Sequence, residues 1–140
     1  MNDNFFLDTN LFVHSFDGEP LAKVRKANQL IRDAISSQKG IVSYQVVQEF
    51  FSVALRRFEQ PMRPEEAEQY LATVFRPLLV VHSSQALYNE GLHVVRRYQF
   101  SWYDALIVAA ALQAKCGVLY SEDFQHGQLI GELQIRNPFL

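Results

Sequence analysis

Two aspartates follow short apolar segments that have the character of buried strands. Asp8 directly ends the apolar run at 5–7, and Asp123 comes shortly after the run at 118–120. A carboxylate at the end of a buried strand is costly unless a partner compensates its charge. In open α/β sheets, ligands also bind at the C-terminal ends of the strands. Asp8 therefore marks a candidate site, and Asp123 is a candidate too, although a turn or cap role after the strand remains an alternative.

A third aspartate, Asp104, stands at the start of a segment, 105–112, that is apolar on nearly all sides. Such a helix lies inside the fold or is covered by a partner. Ser101 precedes Asp104 by three residues, so a helix capping box is an alternative role for this carboxylate. Three aspartates converging at one sheet edge would repel one another, and burial would raise the cost. A hard divalent cation relieves both problems, and carboxylate oxygens suit Mg²⁺ or Mn²⁺ better than zinc.

The elements that would position these acids alternate along the chain. Helical spacing of apolar residues predicts helices around 11–16, 21–35, 46–58, 64–75, 87–98 and 105–112. Short apolar runs predict strands at 5–7, 41–43, 78–81, 118–120 and 133–135. This alternation predicts an α/β fold, a three-layer α/β/α sandwich with a mainly parallel central sheet.

The bulk properties narrow the class of protein. The 140 residues are 49% hydrophobic and 20% charged, which indicates one globular domain, 1–140, rather than a disordered chain. A net charge of −2 gives no general attraction for nucleic acid, so such a partner would need a local basic patch. The lone Cys116 excludes an internal disulfide and a cysteine-rich zinc site. We recognise neither a signal peptide nor a membrane-spanning apolar run, and expect a cytoplasmic protein.

Four short motifs around acidic residues carry a family resemblance. In chain order they are Asp8-Thr9-Asn10, Gln48-Glu49-Phe50, Tyr103-Asp104-Ala105-Leu106-Ile107 and Ser121-Glu122-Asp123-Phe124-Gln125-His126-Gly127. Together they resemble the PIN-domain ribonucleases, and most closely the VapC toxins of type II toxin–antitoxin systems. Each motif is only a few residues long, but four of them in register over essentially the whole chain are specific.

The resemblance implies a catalytic metal site made of four acids. These are Asp8, Glu49, Asp104 and Asp123, with Asn10 and Ser121 as polar residues behind them. Helical periodicity alone assigns Glu49 differently, because it lies about 150° from the middle of its helix's apolar stripe, a solvent-facing position. The resemblance requires Glu49 to reach over the helix border toward the sheet edge.

By the same resemblance we expect an endoribonuclease that depends on Mg²⁺ or Mn²⁺ and is the toxin of a type II toxin–antitoxin system. Metal-activated water would hydrolyse RNA and leave a 5′ phosphate and a 3′ hydroxyl. The implied partners are RNA, a small antitoxin with a basic residue for the acidic pocket, and a second copy of the chain. The helix from Tyr103 and the aromatic stripe around Phe50 and Phe58 would supply apolar interface if both cannot be internal.

An acidic site also needs basic groups nearby to hold the RNA backbone. The candidates are Arg56, Arg57, Arg63, Arg96 and Arg97. Tyr44, Trp102 and Tyr103 could stack on unpaired bases, with core packing as the alternative. His126 is a candidate RNA contact, although a lone histidine is more often structural.

Two other functional classes fit the acids. In a phosphatase or phosphotransfer domain Asp8 would be the nucleophile, but the haloacid-dehalogenase pattern has a second aspartate where this chain has Asn10. In a non-catalytic module, the acids would only bind a metal or a basic peptide.

Overall fold

Six strands and seven helices alternate in the computed structural model, which describes residues 3–140. The strands are β1 (Phe5–Leu7), β2 (Gly40–Ser43), β3 (Leu79–Val81), β4 (Val118–Tyr120), β5 (Leu129–Ile130) and β6 (Leu133–Arg136). The helices are α1 (Thr9–His14), α2 (Leu21–Ser37), α3 (Tyr44–Ala54), α4 (Pro64–Tyr70), α5 (Arg76–Leu78), α6 (Gln85–Tyr98) and α7 (Trp102–Gln113). A π-helical turn, Leu71–Phe75, joins α4 to α5.

The strands form one sheet in the order β3-β2-β1-β4-β6-β5, with β1 near its centre. All neighbouring pairs are parallel except β5 and β6. Leu7 pairs with Tyr120, so β1 and β4 end level with each other, and the N–H of Asp8 donates to the Tyr120 carbonyl at 3.1 Å. With helices on both sides of the sheet, the predicted α/β/α fold with a mainly parallel sheet is confirmed. The residues after β1 and β4 therefore meet at one edge.

Helix α7 and the aromatic stripe of α3 both lie inside the fold. In α7 every residue from Ala105 to Ala111 is buried, between the sheet and α6. Phe50 is fully buried and contacts a cluster of aromatic rings: Phe12, Phe16, Phe51, Phe58, Tyr70 and Phe75. Residues 105–111 of α7 and the ring of Phe50 are thus internal, so the condition under which the sequence predicted an interface there is not met, while Tyr103 at the start of α7 is 66% exposed.

The remaining differences from the predicted elements occur where tertiary context decides. Strand β3 is an edge strand, and Val80 is 57% exposed, although the apolar run 78–81 predicted a buried strand. Helix α3 ends at Ala54 rather than at 58. The two-residue strand β5 was not predicted, because it is too short to show a period.

The structure also shows the state of the single cysteine and the character of the helices with respect to a membrane. Cys116 is a buried free thiol, and burial raises its pKa to about 12. None of the helices within residues 3–140 combines the length and apolar character that crossing a membrane requires.

Candidate active site

All four acids that the sequence analysis singled out line one cavity of about 300 Å³. They come from four elements: Asp8 follows β1, Glu49 lies on α3, Asp104 is in the first turn of α7, and Asp123 follows β4. The neutral polar residues of the lining are Thr9, Asn10, Gln45 and Ser52. No lysine or arginine lines this cavity within residues 3–140. The fold therefore concentrates negative charge at the edge where the parallel strands β1 and β4 end.

Asp8 is the most enclosed of the four acids, with only 5% of its surface exposed. It is the N-cap of α1, and its Oδ1 accepts from the N–H of Thr9 at 2.7 Å. Its Oδ2 accepts from the hydroxyl of Ser121, also at 2.7 Å. Burial raises the pKa of Asp8 to about 7, and the charges of Asp123 and Glu49 add to this rise against the two hydrogen bonds. Both of its donors are neutral, so its charge is solvated but not neutralised.

Glu49 is half-buried and is held by two neutral donors. The hydroxyl of Thr9 donates to Oε1 at 2.7 Å, and Nε2 of Gln45 donates to Oε2 at 3.3 Å. These contacts place the side chain at the cavity, as the family resemblance required and as the helical periodicity did not.

Asp123 is positioned by residues that follow two neighbouring strands, β1 and β4. The amide of Asn10 donates to its two carboxylate oxygens at 3.3 and 3.1 Å. Its own N–H donates to the Ser121 hydroxyl at 3.1 Å, so Ser121 contacts both strand-end aspartates. Burial raises the pKa of Asp123, and the nearby carboxylates, including Asp104, raise it further.

Asp104 combines a capping backbone with a side chain at the cavity. Its N–H donates to the Ser101 hydroxyl at 3.3 Å, which makes Ser101 the N-cap of α7. The reciprocal bond of a capping box, from the Ser101 N–H to the Asp104 carboxylate, does not occur among the described residues. Capping thus engages the backbone of Asp104 and leaves its carboxylate available at the cavity.

The donor set fits a hard divalent cation by its chemistry, since carboxylates and amide oxygens are the ligands that Mg²⁺ and Mn²⁺ take. The elevated pKa of Asp8 also shows that burial and neighbouring acids oppose its negative charge, which a cation would favour. Within residues 3–140, however, no three Asp, Glu, His or Cys side chains are arranged to hold a single ion.

Thr9 and Gln45 are the contributors that the sequence analysis missed. Thr9 lies inside the first motif, between the two residues that were singled out. Gln45 precedes Glu49 by four residues, the spacing at which side chains on a helix meet. That spacing was a usable signal, whereas the contact of Thr9 with α3 spans 40 positions of sequence and had none.

A carboxylate beside the cavity has basic partners instead. Glu122 accepts from Nζ of Lys23 at 2.8 Å and contacts Nε2 of His14. The other ring nitrogen of His14 lies 2.8 Å from Asp17. Burial on its own would raise the pKa of Glu122, but Lys23 and His14 outweigh it and hold that pKa below its usual value.

The aromatic candidates for base stacking lie at the start of α7 and near it. Tyr103, next to Asp104, is 66% exposed, and Trp102 is 37% exposed, so neither is a core residue. Tyr44 is half-buried, and burial together with a hydrogen bond to Tyr88 raises its pKa to about 12.

The basic candidates divide by their position relative to the cavity. Arg57 and Arg63 line a second groove that shares Val13 and Val53 with the acid cavity, so the two depressions adjoin. Arg56, Arg96 and Arg97 are exposed but line neither depression. His126 is engaged in the fold, since its Nδ1 accepts from the N–H of Asn137 at 2.9 Å.

Comparison with known proteins identifies the family. The PIN domain family matches residues 5–129, which is most of the chain and contains all four acids. The chain belongs to the PIN domain family. Curated protein sequences give no significant match to this PIN domain.

Solved structures share the fold of this PIN domain at low sequence identity. A toxin–antitoxin complex from Klebsiella pneumoniae superposes with a TM-score of 0.69 at 18% identity, covering 96% of this chain and 98% of that one. The sarcin–ricin loop cleaving toxin VapC20 of Mycobacterium tuberculosis gives 0.61 at 17% identity, with coverages of 87% and 90%. FitAcB from Neisseria gonorrhoeae gives 0.63 at 14% identity, with coverages of 96% and 98%. These likenesses confirm the PIN fold over nearly the full length of each chain.

Proposed function

We propose that this PIN domain is an endoribonuclease that requires Mg²⁺ or Mn²⁺ and is the toxin of a type II toxin–antitoxin system. The observation that carries the proposal is the cavity in which four carboxylates meet. Within residues 3–140, the three that accept hydrogen bonds, Asp8, Glu49 and Asp123, accept them only from neutral groups. A cluster of carboxylates around the buried Asp8 destabilises the metal-free fold by mutual repulsion, so its presence in a PIN domain is best explained by a bound cation.

Asp8, Glu49, Asp104 and Asp123 would hold the metal and form the catalytic set. When bound, a divalent ion supplies positive charge for a phosphate oxygen and lowers the pKa of a water molecule. Ser121 orients the Asp8 carboxylate, and Asn10 does the same for Asp123. The expected products carry a 5′ phosphate and a 3′ hydroxyl.

The surroundings of the cavity support RNA as the substrate. Tyr103 presents an exposed ring beside Asp104, and aromatic rings stack on unpaired RNA bases. The adjoining groove brings Arg57 and Arg63 within the path of a chain that enters the cavity, although Arg63 is paired with Glu66. Basic side chains at the rim offset the repulsion between phosphates and the acids.

The proposed protein partners are a small antitoxin and a second copy of the chain. Similar structures include a toxin–antitoxin complex, and a basic antitoxin residue would find complementary charge in the acid cavity. For the homodimer we point to an exposed apolar face on α6 and α7 that contains Tyr88, Leu92 and Trp102, with the rings of Tyr88 and Trp102 6.2 Å apart. We propose that residues 1–140 act as one nuclease domain in the cytoplasm.

The test is RNA cleavage by the purified protein with Mg²⁺, with Mn²⁺ and with EDTA. We expect cleavage with either metal, 5′-phosphate ends on the products, and loss of activity in EDTA. Asp8→Asn, purified in the same way, is the control for contaminating nuclease. Glu65→Gln, at an exposed acid in the first turn of α4, controls for the loss of one carboxylate away from the cavity and should cut as the wild type does. Equal cleavage in EDTA, or cleavage that survives Asp8→Asn, would refute the proposal, and an alkali-labile phosphoaspartate would support the phosphatase alternative.

A further inference from the structure

Gln45 is a buried polar residue whose side chain is only half satisfied. It lies in the first turn of α3 with 5% of its surface exposed, and it lines the acid cavity. Its Nε2 donates to Oε2 of Glu49 at 3.3 Å and to the carbonyl oxygen of Tyr103 at 3.1 Å. Its Oε1 is buried and has no hydrogen-bond partner among the described residues.

Stability does not account for a glutamine at this position. A buried acceptor without a partner costs folding free energy, because it has lost its water without gaining a replacement. An apolar side chain of the same volume avoids that cost but gives up the two bonds that Nε2 donates. The half-buried Glu49 carboxylate keeps its bond from Thr9, which limits what the loss of those bonds costs the fold. The benefit of Gln45 must therefore come from what its donor group does.

The donor group of Gln45 connects two of the acids. One of its contacts is Glu49 itself, and the other is the backbone of Tyr103, the residue that precedes Asp104. Thr9 already holds the other carboxylate oxygen of Glu49 at 2.7 Å. With Gln45 in place, both carboxylate oxygens of Glu49 accept a hydrogen bond. Through Gln45 the Glu49 side chain is also held in a fixed position relative to the start of α7.

Without this contact, Glu49 would be free to turn outward. It is half-buried at the border of the apolar face of α3, and the residue before it, Gln48, is exposed. A single remaining bond to Thr9 fixes one oxygen but leaves the carboxylate plane free to rotate. Residues that hydrogen-bond to metal-ligating side chains fix their orientation in this way, and losing one typically weakens metal binding 10–100-fold.

We propose that Gln45 is a positioning residue that holds the Glu49 carboxylate over the acid cavity and fixes it relative to α7, at the expense of fold stability. The inference rests on the proposed function, because it takes Glu49 as a metal ligand. It assigns to Gln45 no contact with RNA or with the reacting atoms.

The test compares Gln45→Met with Gln48→Met, a matched change at an exposed glutamine of the same helix. Calorimetric titration of the metal-free proteins with Mn²⁺ gives the dissociation constant, and thermal melts in EDTA give the stability of the fold. RNA cleavage with Mn²⁺ gives kcat and KM.

For Gln45→Met we expect a Mn²⁺ dissociation constant raised roughly 10-fold, within the range for supporting residues of metal ligands. We expect its melting temperature in EDTA to equal or exceed that of the wild type, and kcat to fall while KM changes less than about 2-fold. Gln45→Asn, which is too short to reach both acceptors, should also bind Mn²⁺ more weakly, and Gln48→Met should match the wild type.

Unchanged Mn²⁺ affinity in Gln45→Met would overturn the proposal. So would a loss of stability in EDTA that accompanies the loss of affinity, including outright failure to fold, because Gln45 would then be an ordinary structural residue. If the wild type itself neither binds Mn²⁺ nor cuts RNA, the proposed function fails, and this inference falls with it. A wild type that binds and cuts, beside an unaffected Gln45→Met, refutes the positioning role alone.

Discussion

Glu122 and Asp123 are neighbours in the chain, yet the fold treats their charges in opposite ways. Glu122 accepts from Lys23 and contacts His14, and these groups lower its pKa against the effect of burial. Among residues 3–140, the Asp123 carboxylate accepts hydrogen bonds only from the neutral amide of Asn10. Burial and nearby carboxylates raise its pKa, and His14 offsets only part of that rise. Two adjacent carboxylates therefore differ, because Glu122 has a lysine in contact and Asp123 has no cationic side chain within ion-pair distance in the described residues.

The difference shows that the uncompensated charge of the cavity is not forced by a shortage of cations. Lys23 and His14 come within contact of the residue next to Asp123, but neither lines the cavity. Strongly perturbed carboxylates that cluster in a cleft are typical of functional sites. Under the proposed function, a bound metal ion supplies the positive charge that the cavity lacks, in the way that Lys23 and His14 stabilise the charge of Glu122.

The largest effect on RNA cleavage should come from removing the charge of Asp123, the member of the Glu122–Asp123 pair that lines the cavity. Asp123→Asn should lower RNA cleavage with Mn²⁺ roughly 10²–10³-fold, because a metal supplies several kcal/mol of transition-state stabilisation. Glu122→Gln, the same change one residue earlier, should cost less than about 10-fold. The measurement is cleavage rate under single-turnover conditions. Equal losses in the two variants would mean that the chain treats the two acids alike in function.

In the metal-free protein, the pH dependence of the free energy of unfolding should show that the charge of Asp8 is also uncompensated. The pKa of Asp8 is about 7 in the fold against a usual value of 3.8, so between these pH values the folded state holds a proton that the unfolded chain has released. The free energy of unfolding in EDTA should therefore fall as pH rises from 4 to 7 and then level off, by an amount on the order of 2–4 kcal/mol from this group.

Asp8→Asn should remove that part of the pH dependence, because the asparagine does not titrate. Urea melts of both proteins in EDTA from pH 4.5 to 8.5 give the comparison, and titration of other groups cancels in the difference. The variant should become the more stable protein above pH 7. Parallel curves for the two proteins would show that the Asp8 carboxyl is not held against ionisation.

The sequence predicted the positions of some of the cavity acids better than others, depending on which contacts hold them. Asp8 and Asp123 could be placed at one edge because continuous apolar runs mark buried strands, and parallel strands end together. Glu49 could not be placed by its helical angle, since a long side chain at the border of a face can lie on either side. Of the two deciding contacts, the one from Gln45 lies within α3 and has helical spacing, whereas the one from Thr9 depends on how α1 and α3 pack.

Exposure was predicted less well than secondary structure for a related reason. Apolar periodicity shows that a segment has a hydrophobic face, but not which strand lies at the edge of the sheet. Val80 is exposed because β3 is an edge strand, while the stripe around Phe50 is enclosed by rings from four other segments. Surfaces proposed from sequence as interfaces were therefore internal, and the exposed face at Tyr88 and Leu92 was not predicted.

A smaller effect on stability should separate the two roles of Asp104. Mn²⁺ at about 100 times its dissociation constant should stabilise the wild type by roughly 2.7 kcal/mol. Asp104→Asn should lose most of that gain while its stability in EDTA stays the same or rises, because the cap from Ser101 engages the backbone N–H. Glu65→Gln, in the first turn of α4, is the matched control and should keep the full gain. A variant that is weaker in EDTA yet still stabilised by Mn²⁺ would make Asp104 a helix residue only.

The smallest effect concerns the neutralised side of the comparison, the ion pair between Glu122 and Lys23. Their side chains are 21% and 26% exposed, whereas the pair of Asp3 and Lys39, with the same 2.8 Å separation, is 67% and 47% exposed. Solvent screens exposed pairs, so the pair of Asp3 and Lys39 contributes little to stability. A partly buried pair should couple more strongly, by about 1–2 kcal/mol, since charged hydrogen bonds there are less screened.

Double-mutant cycles measure this difference directly. One cycle combines Glu122→Gln with Lys23→Met. The other combines Asp3→Asn with Lys39→Met, which precede β1 and β2 at the N-terminal ends of the strands. Urea melts in EDTA give the four free energies of each cycle. We expect the first coupling energy to exceed the second. No coupling is expected between Lys23 and Asp123, because Asp123 forms no ion pair within residues 3–140. Equal coupling in the two cycles would mean that Lys23 adds no more than a surface contact, and the contrast between Glu122 and Asp123 would then rest on His14 alone.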